Sequence, residues 1–233
     1  MRMTSRILTI AAGTATVLAL AACTSGTSTQ NDGAAGTEAG AADSAESSSL
    51  QISTDTIRQI FSSSDFDPDA FDSPDEMVDS IYPGVSASPD CLAVLGIGAE
   101  DPGANIVFGP SIDRSLTAQI SSFATPADDY YAMMSDHADA CIADAQVTFS
   151  GNPIDATVER REIHDTAFEL TLNAEISGSE VRVIANVEQL EENVVSVVGW
   201  DPSTNTANVP RATGMLIEKV SVARIDRINE TDE

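Results

Sequence analysis

The sequence predicts an α+β domain, with helices packed on an antiparallel sheet, preceded by an N-terminal signal segment and a tether. Three observations carry this. Residues with helical spacing and strand-like runs follow one another as helix, helix, strands, helix, five strands, helix, without strict βαβ alternation. The clearest strand pair is joined by Ser177-Gly178-Ser179, a hairpin connection, and hairpins build antiparallel sheets. Before Leu50 the large aliphatic and aromatic residues vanish from a long Ser/Thr/Gly/Ala/Asp/Glu stretch, so the folded part begins there.

Residues 1–22 are built like a secretory leader: Arg2 and Arg6 supply positive charge, Ile7 to Leu20 is apolar or small, and two alanines precede Cys23. Leu20-Ala21-Ala22-Cys23 resembles the lipobox of bacterial lipoproteins. That resemblance implies removal of residues 1–22, diacylation of the Cys23 sulfur, and tethering of the protein to the extracytoplasmic face of a membrane. The alternative is an ordinary cleaved leader with a cysteine at that place. Residues 23–49 read as the lipidated cysteine and a flexible linker, and roughly 26 residues of coil span on the order of 25 to 30 Å. A glycosylated Ser/Thr stalk fits the same composition.

Residues 50–233 read as a single domain. The formal net charge of −26 argues against nucleic acid and against docking on anionic head groups, and it favours a monomer. With Cys23 assigned to the lipobox, Cys91 and Cys141 remain as a pair in a compartment that tolerates disulfides. Closing a loop of about 50 residues stabilises by up to about 4 kcal/mol on the chain-entropy model. Two buried free thiols are the alternative.

The first helix has Ser53 or Thr54 as cap and Ile57, Ile60 and Phe61 as its apolar face. In the second, Ser73 is the N-cap, Pro74 the first helical residue and Glu76 the closing member of a capping box, with Met77, Val78 and Ile81 facing inward. Ser88-Pro89-Asp90-Cys91 starts a third, which runs to Gly96. Asn105 to Phe108 reads as a strand, and so does the segment where Leu116, Ala118 and Ile120 alternate with polar neighbours. Thr125 to Asp128 opens a long helix whose stripe is Tyr131, Met134, Ala138, Cys141 and Ala145. Five strands follow, at 147–149, 156–163, 168–176, 181–187 and 193–198. A last helix carries Leu216, Ile217, Val220, Ile225 and Ile228 after Asn208-Val209-Pro210.

Asp65, Asp67, Asp69 and Glu76 occupy positions one, three, five and twelve of an EF-hand-like calcium loop. Ala70 replaces the glycine such a turn needs, and Pro68 and Pro74 stiffen it, so the loop reads as solvated and acidic with calcium as the alternative. No cofactor is expected. His137 and His164, the two histidines, are too few for a zinc site and stand near no nucleophile elbow. No catalytic residue emerges, and the reading is non-enzymatic. Trp200 follows the last strand directly, so it is either a plug over the core edge or the wall of a ligand cleft; Tyr130 and Tyr131 carry the same ambiguity.

Phe123, Ala127, Tyr131, the run Ala138-Asp139-Ala140-Cys141, the strand start Asn193-Val194-Val195 and the helix from Ala212 to Ile228 resemble the extracellular sensor domain of actinobacterial serine/threonine kinases and its lipoprotein relatives. The resemblance spans residues 85 to 229. It implies a twisted antiparallel sheet whose helices form a cleft, no established catalytic residues, and an actinobacterial source. The kinase sensors carry a second disulfide, for which this chain has no cysteines. The expectation is a lipid-anchored sensing or binding module of the cell envelope, taking an unknown small ligand or an envelope protein. An envelope scaffold with no small-molecule site is the alternative.

Overall fold

The computed structural model describes residues 50–81, 83–97, 101–200 and 205–231. Residues 1–49, which the sequence reads as a leader, the lipobox Cys23 and a linker, lie outside the described residues. In chain order the elements are α1 (Thr54–Ser62), α2 (Pro74–Ile81), β1 (Val85–Ser86), α3 (Pro89–Leu92) running into a π-helical turn (Ala93–Ile97), β2 (Asn105–Pro110), β3 (Leu116–Ser122), α4 (Asp128–Ala143), β4 (Thr148–Phe149), β5 (Asn152–Pro153), β6 (Ala156–His164), β7 (Ala167–Ile176), β8 (Ser179–Leu190), β9 (Asn193–Gly199) and α5 (Asn205–Thr231). This is a mixed α+β fold, as the element order predicts, with two antiparallel sheets where the sequence reads one.

Local chemistry explains the helix starts. The Thr56 amide donates to the Ser53 hydroxyl at 3.2 Å, and Ile57, Ile60 and Phe61 are buried. At α2 the Glu76 amide donates to Ser73 Oγ at 3.2 Å, while Glu76 Oε2 accepts from the Asp72 amide at 3.0 Å, one residue before the cap. Met77 is buried; the side chains of Val78 and Ile81 lie outside the described residues. The Ser88 hydroxyl caps α3 by accepting from the Cys91 amide at 3.3 Å. Lys219 Nζ reaches from α5 to donate to the Ser63 carbonyl at 2.8 Å and to Ser63 Oγ at 2.7 Å, satisfying the carboxyl end of α1.

The larger sheet has the order β2-β3-β9-β8-β7-β6, antiparallel at every step. Its β7–β8 hairpin closes through Ser177 and Gly178, with φ of 54° and 80°, the left-handed pair that a tight two-residue turn requires. The smaller sheet has the order β1-β4-β5.

Helices cover both faces of the larger sheet. On one, Phe168, Leu170, Val187, Val194 and Val198 meet Cys91, Met134, Ala138 and Cys141 of α3 and α4. On the other, Ala118, Ile120, Ile184, Val195 and Val197 meet Ile57 and Phe61 of α1 and Val209, Leu216 and Val220 of α5. Burying each large aliphatic side chain contributes about 1.5–3 kcal/mol. The polar residues expected to face water from β3 are therefore buried, and every residue of β3 and β9 is buried. Gln119 meets its own needs inside, donating to Ser121 Oγ at 3.0 Å and to Tyr130 Oη at 3.1 Å.

Two further boundaries differ from the sequence expectation. In α4 the deeply buried tyrosine is Tyr130, not Tyr131, which is half-buried, and Ala145 lies past the helix end. Helix α5 begins at Asn205 and carries Pro210 within it, whereas the sequence places the helix after that proline. An interior proline costs about 3 kcal/mol. The complete burial of Val209 against the sheet offsets much of that cost.

Candidate functional site

Three segments distant in sequence line an open cavity of about 450 Å³. The loop after α1 gives Ser64, Asp65 and Phe66; the β2–β3 turn gives Ser111, Ile112, Asp113, Ser115 and Leu116; and the first turns of α5 give Asn208, Arg211, Ala212 and Met215. Phe66, Leu116 and Ala212 are buried and form its floor, while Asp65, Asp113 and Arg211 are exposed at its walls.

The close approach of the first two segments depends on Gly109. A Cβ there would lie 2.2 Å from the Asp67 carbonyl oxygen, so only glycine allows the loop to lie against β2. The Asp67 amide then donates to the Pro110 carbonyl at 2.9 Å and the Ile112 amide to the Asp65 carbonyl at 2.9 Å. Phe66 packs edge-on against Phe61, with ring centroids 5.7 Å apart, and pins the loop to the core. Asp65 and Arg114 both adopt left-handed backbone, at φ 60° and 59°, a strained conformation for residues with side chains.

The β2–β3 turn is organised around one carboxylate oxygen. Asp113 Oδ1 accepts from Ser111 Oγ at 2.6 Å, from Ser115 Oγ at 2.8 Å and from the Ser115 amide at 3.1 Å. The Ser111 hydroxyl, followed by the two Ser115 donors, holds the Asp113 carboxyl below the usual carboxylate range. The cavity thus presents fixed negative charge at Asp113, further acid at Asp65, one guanidinium at Arg211, hydroxyls and an apolar floor. Neither histidine lies in its wall.

The calcium-loop carboxylates serve other ends. Asp69 pairs with Arg58, Asp67 Oδ1 accepts from the Asp69 amide at 3.1 Å, and Glu76 caps α2. Among the described residues no group of three or more His, Cys, Asp or Glu side chains converges on a point where a metal ion could sit.

His137 faces neither solvent alone nor the core: its Nδ1 lies 2.8 Å from Asp90 Oδ1 and links α4 to α3. His164 ends β6, its Nε2 3.6 Å from Glu188 Oε1. Cys91 and Cys141 form the disulfide, Cα atoms 4.7 Å apart, and brace α3 to α4. Tyr130 is buried, its ring 5.0 Å from that of Phe123, and Tyr131 lies 5.9 Å from Phe168. Trp200 packs half-buried on the α4 side of the sheet, just before residues outside the described set. None of the three aromatics lines the cavity around Asp113.

The sequence-distant residues of that cavity escape sequence reasoning almost entirely. Asp65 draws notice as the first position of the acidic loop, while Leu116, Asn208 and Ala212 are read only as parts of a strand and a helix. The signal available for the rest is Gly109, a glycine inside a strand, which marks close backbone approach.

No family model matches the sequence, and no curated protein matches it either. Among solved structures, the chain is similar to the extracellular domain of PknH from Mycobacterium tuberculosis, at 19% identity and a TM-score of 0.46, over 75% of this chain and 94% of that one. A likeness this loose carries no argument about function.

Proposed function

We propose that the protein is a non-enzymatic binding or sensing module, held by lipid on Cys23 at the extracytoplasmic face of a cell membrane, and that its ligand occupies the cavity around Asp113. The observation that carries the reading is the cavity itself. Its volume falls in the range of small-molecule sites, and it combines an apolar floor with a few fixed polar groups, the combination that gives both affinity and orientation. Asp113 and Asp65, on a chain of net charge −26, select against anions, so the ligand is neutral or cationic. Arg211 offers a second point of contact to a ligand that also carries a carboxylate or hydroxyl. No helix among the described residues is long and apolar enough to cross a membrane. The attachment in this reading rests on the lipobox-like Leu20-Ala21-Ala22-Cys23.

The test is a thermal-shift panel of neutral and cationic small molecules, followed by methyl NMR of the Met215 signal. A ligand that raises the melting temperature, moves Met215 and loses both effects in Asp113→Asn supports the reading. A panel and an envelope extract that never move Met215 would refute it. The scaffold alternative rests on Val222 and Ile225, each 55% exposed and three residues apart on α5, an apolar pair available to a protein partner. Capture of a single envelope protein, lost in Val222→Asp, would favour it.

A further inference from the structure

The wall of the cavity around Asp113 carries opposite charges that do not meet. Arg58, Arg160, Arg161, Arg224 and Arg227 each pair with a carboxylate. Arg211 makes no ion pair and no hydrogen bond among the described residues, although Asp113 and Asp65 line the same cavity. We propose that this cavity binds a free apolar α-amino acid as its zwitterion, with the ammonium at Asp113 and the carboxylate at Arg211.

Charge decides the class of ligand. On a chain of net charge −26 an arginine finds carboxylates readily, so one without a partner in the same wall as two of them is held apart from them by the backbone. The Asp113 carboxylate is fixed to the β2–β3 turn by Ser111 and Ser115, whose bonds all end on Oδ1 and leave Oδ2 to accept from a ligand. Those bonds also keep it ionised at neutral pH. A cation alone would satisfy Asp113 and leave Arg211 without a partner, while an anion alone would meet the repulsion of Asp113 and Asp65. A zwitterion answers both: its ammonium donates to carboxylate oxygens, and its carboxylate accepts from the guanidinium fork.

Volume and floor narrow the class further. The nine non-hydrogen atoms of free leucine, at roughly the 30 Å³ each that a water takes in the liquid, need no more than about 270 Å³. The cavity, at about 450 Å³, admits the whole molecule with its first waters. Phe66, Leu116 and Ala212 are buried in the floor and Met215 is half-buried among the lining residues, so an apolar side chain finds apolar surface to cover. A charged side chain would be desolvated against that floor without compensation.

The inference rests on the reading of this cavity as a ligand site, and its test keeps the two apart. The full chain, with isotopically labelled methionine methyl groups, is titrated with L-leucine, with leucinamide, which lacks the carboxylate, and with N-acetylleucine, which lacks the ammonium. The expected result is a saturable shift of the Met215 signal by L-leucine, with each analogue bound about fivefold or more weakly. Arg211→Gln should abolish the preference for leucine over leucinamide, and Asp113→Asn the preference over N-acetylleucine. Arg211 is exposed and supports no other described residue, so its substitution tests binding without disturbing the fold, even where Asp113→Asn unsettles the turn. Leucinamide or N-acetylleucine binding as tightly as leucine, or a preference over leucinamide that survives Arg211→Gln, overturns the proposal while leaving the cavity a ligand site. A Met215 signal that L-leucine never moves overturns it as well, and the wider panel of neutral and cationic molecules then decides the fate of the broader reading.

Discussion

Arg224 grips Glu192 through two hydrogen bonds, Nε to Oε2 at 2.7 Å and Nη2 to Oε1 at 3.4 Å, and so ties α5 to the β8–β9 turn. The same turn accepts from the Phe123 and Ala127 amides through the Glu192 and Glu191 carbonyls, at 2.8 and 2.9 Å, and holds the entry to α4. Glu192 is only 7% exposed. Burial pushes its pKa up, but the Arg224 hydrogen bond, its own amide and the Arg224 charge outweigh burial and leave it lowered.

Arg224→Ala should therefore strand a buried carboxylate and destabilise the fold by roughly 1–3 kcal/mol at neutral pH. A group whose pKa is lowered by folding stabilises in full above the ordinary carboxylate range, and that contribution fades as pH falls through the lowered value. The variant should thus differ from the parent most at pH 7 and least in strong acid. Urea melts at several pH values check this, and a difference that grows on acidification would contradict the pairing.

The Cys91–Cys141 bridge closes a 50-residue separation. Replacing both cysteines by serine should cost about 2–4 kcal/mol, read as a lower urea midpoint, and reduction of the parent should match it. A non-reducing peptide map should show the crosslinked pair. Unchanged melting after verified reduction would mean that the bridge contributes nothing.

Gly109→Ala places a methyl group on the Asp67 carbonyl and forces the loop off β2. The expected loss is at least about 1–3 kcal/mol, the range for overpacked sites, together with perturbed signals from Ser64, Ile112 and Met215 as the cavity opens. Gly214→Ala is the control, since nothing stands within 4 Å of its added Cβ. Equal stability in the two variants would show that the loop does not depend on the close approach.

Lipid on Cys23 is tested by expression in a bacterium. The parent should fractionate with membranes and carry a modified N-terminal cysteine by mass spectrometry, while Cys23→Ser should be released or left unprocessed. A mature N-terminus at any other residue would sink the anchor.

How legible these features are in the sequence depends on the range of the interaction. The β7–β8 hairpin announces itself through Ser177-Gly178 because the turn is made by adjacent residues with a demand for left-handed backbone. The Ser88 and Ser73 caps are equally local. The burial of Gln119 and Ser121 is not legible: alternation along β3 marks two faces, but which of them meets water depends on α4 returning above Tyr130. The start of α5 is misread for a related reason, since Pro210 carries a local penalty and Val209 a distant gain. The cavity around Asp113 joins residues near 65, 113 and 211, and no pattern within one segment can express that meeting.

Lys219 has a consequence for anyone handling this protein. It is the single lysine of the chain, and its ammonium is already committed to Ser63 at the end of α1. Amine-directed dyes, crosslinkers and immobilisation surfaces aimed at lysine will all react at the clasp between the first and last helices. A reagent chosen as a silent handle will instead act as a wedge, and labelling through an introduced exposed cysteine or through the chain terminus will report on a molecule left intact.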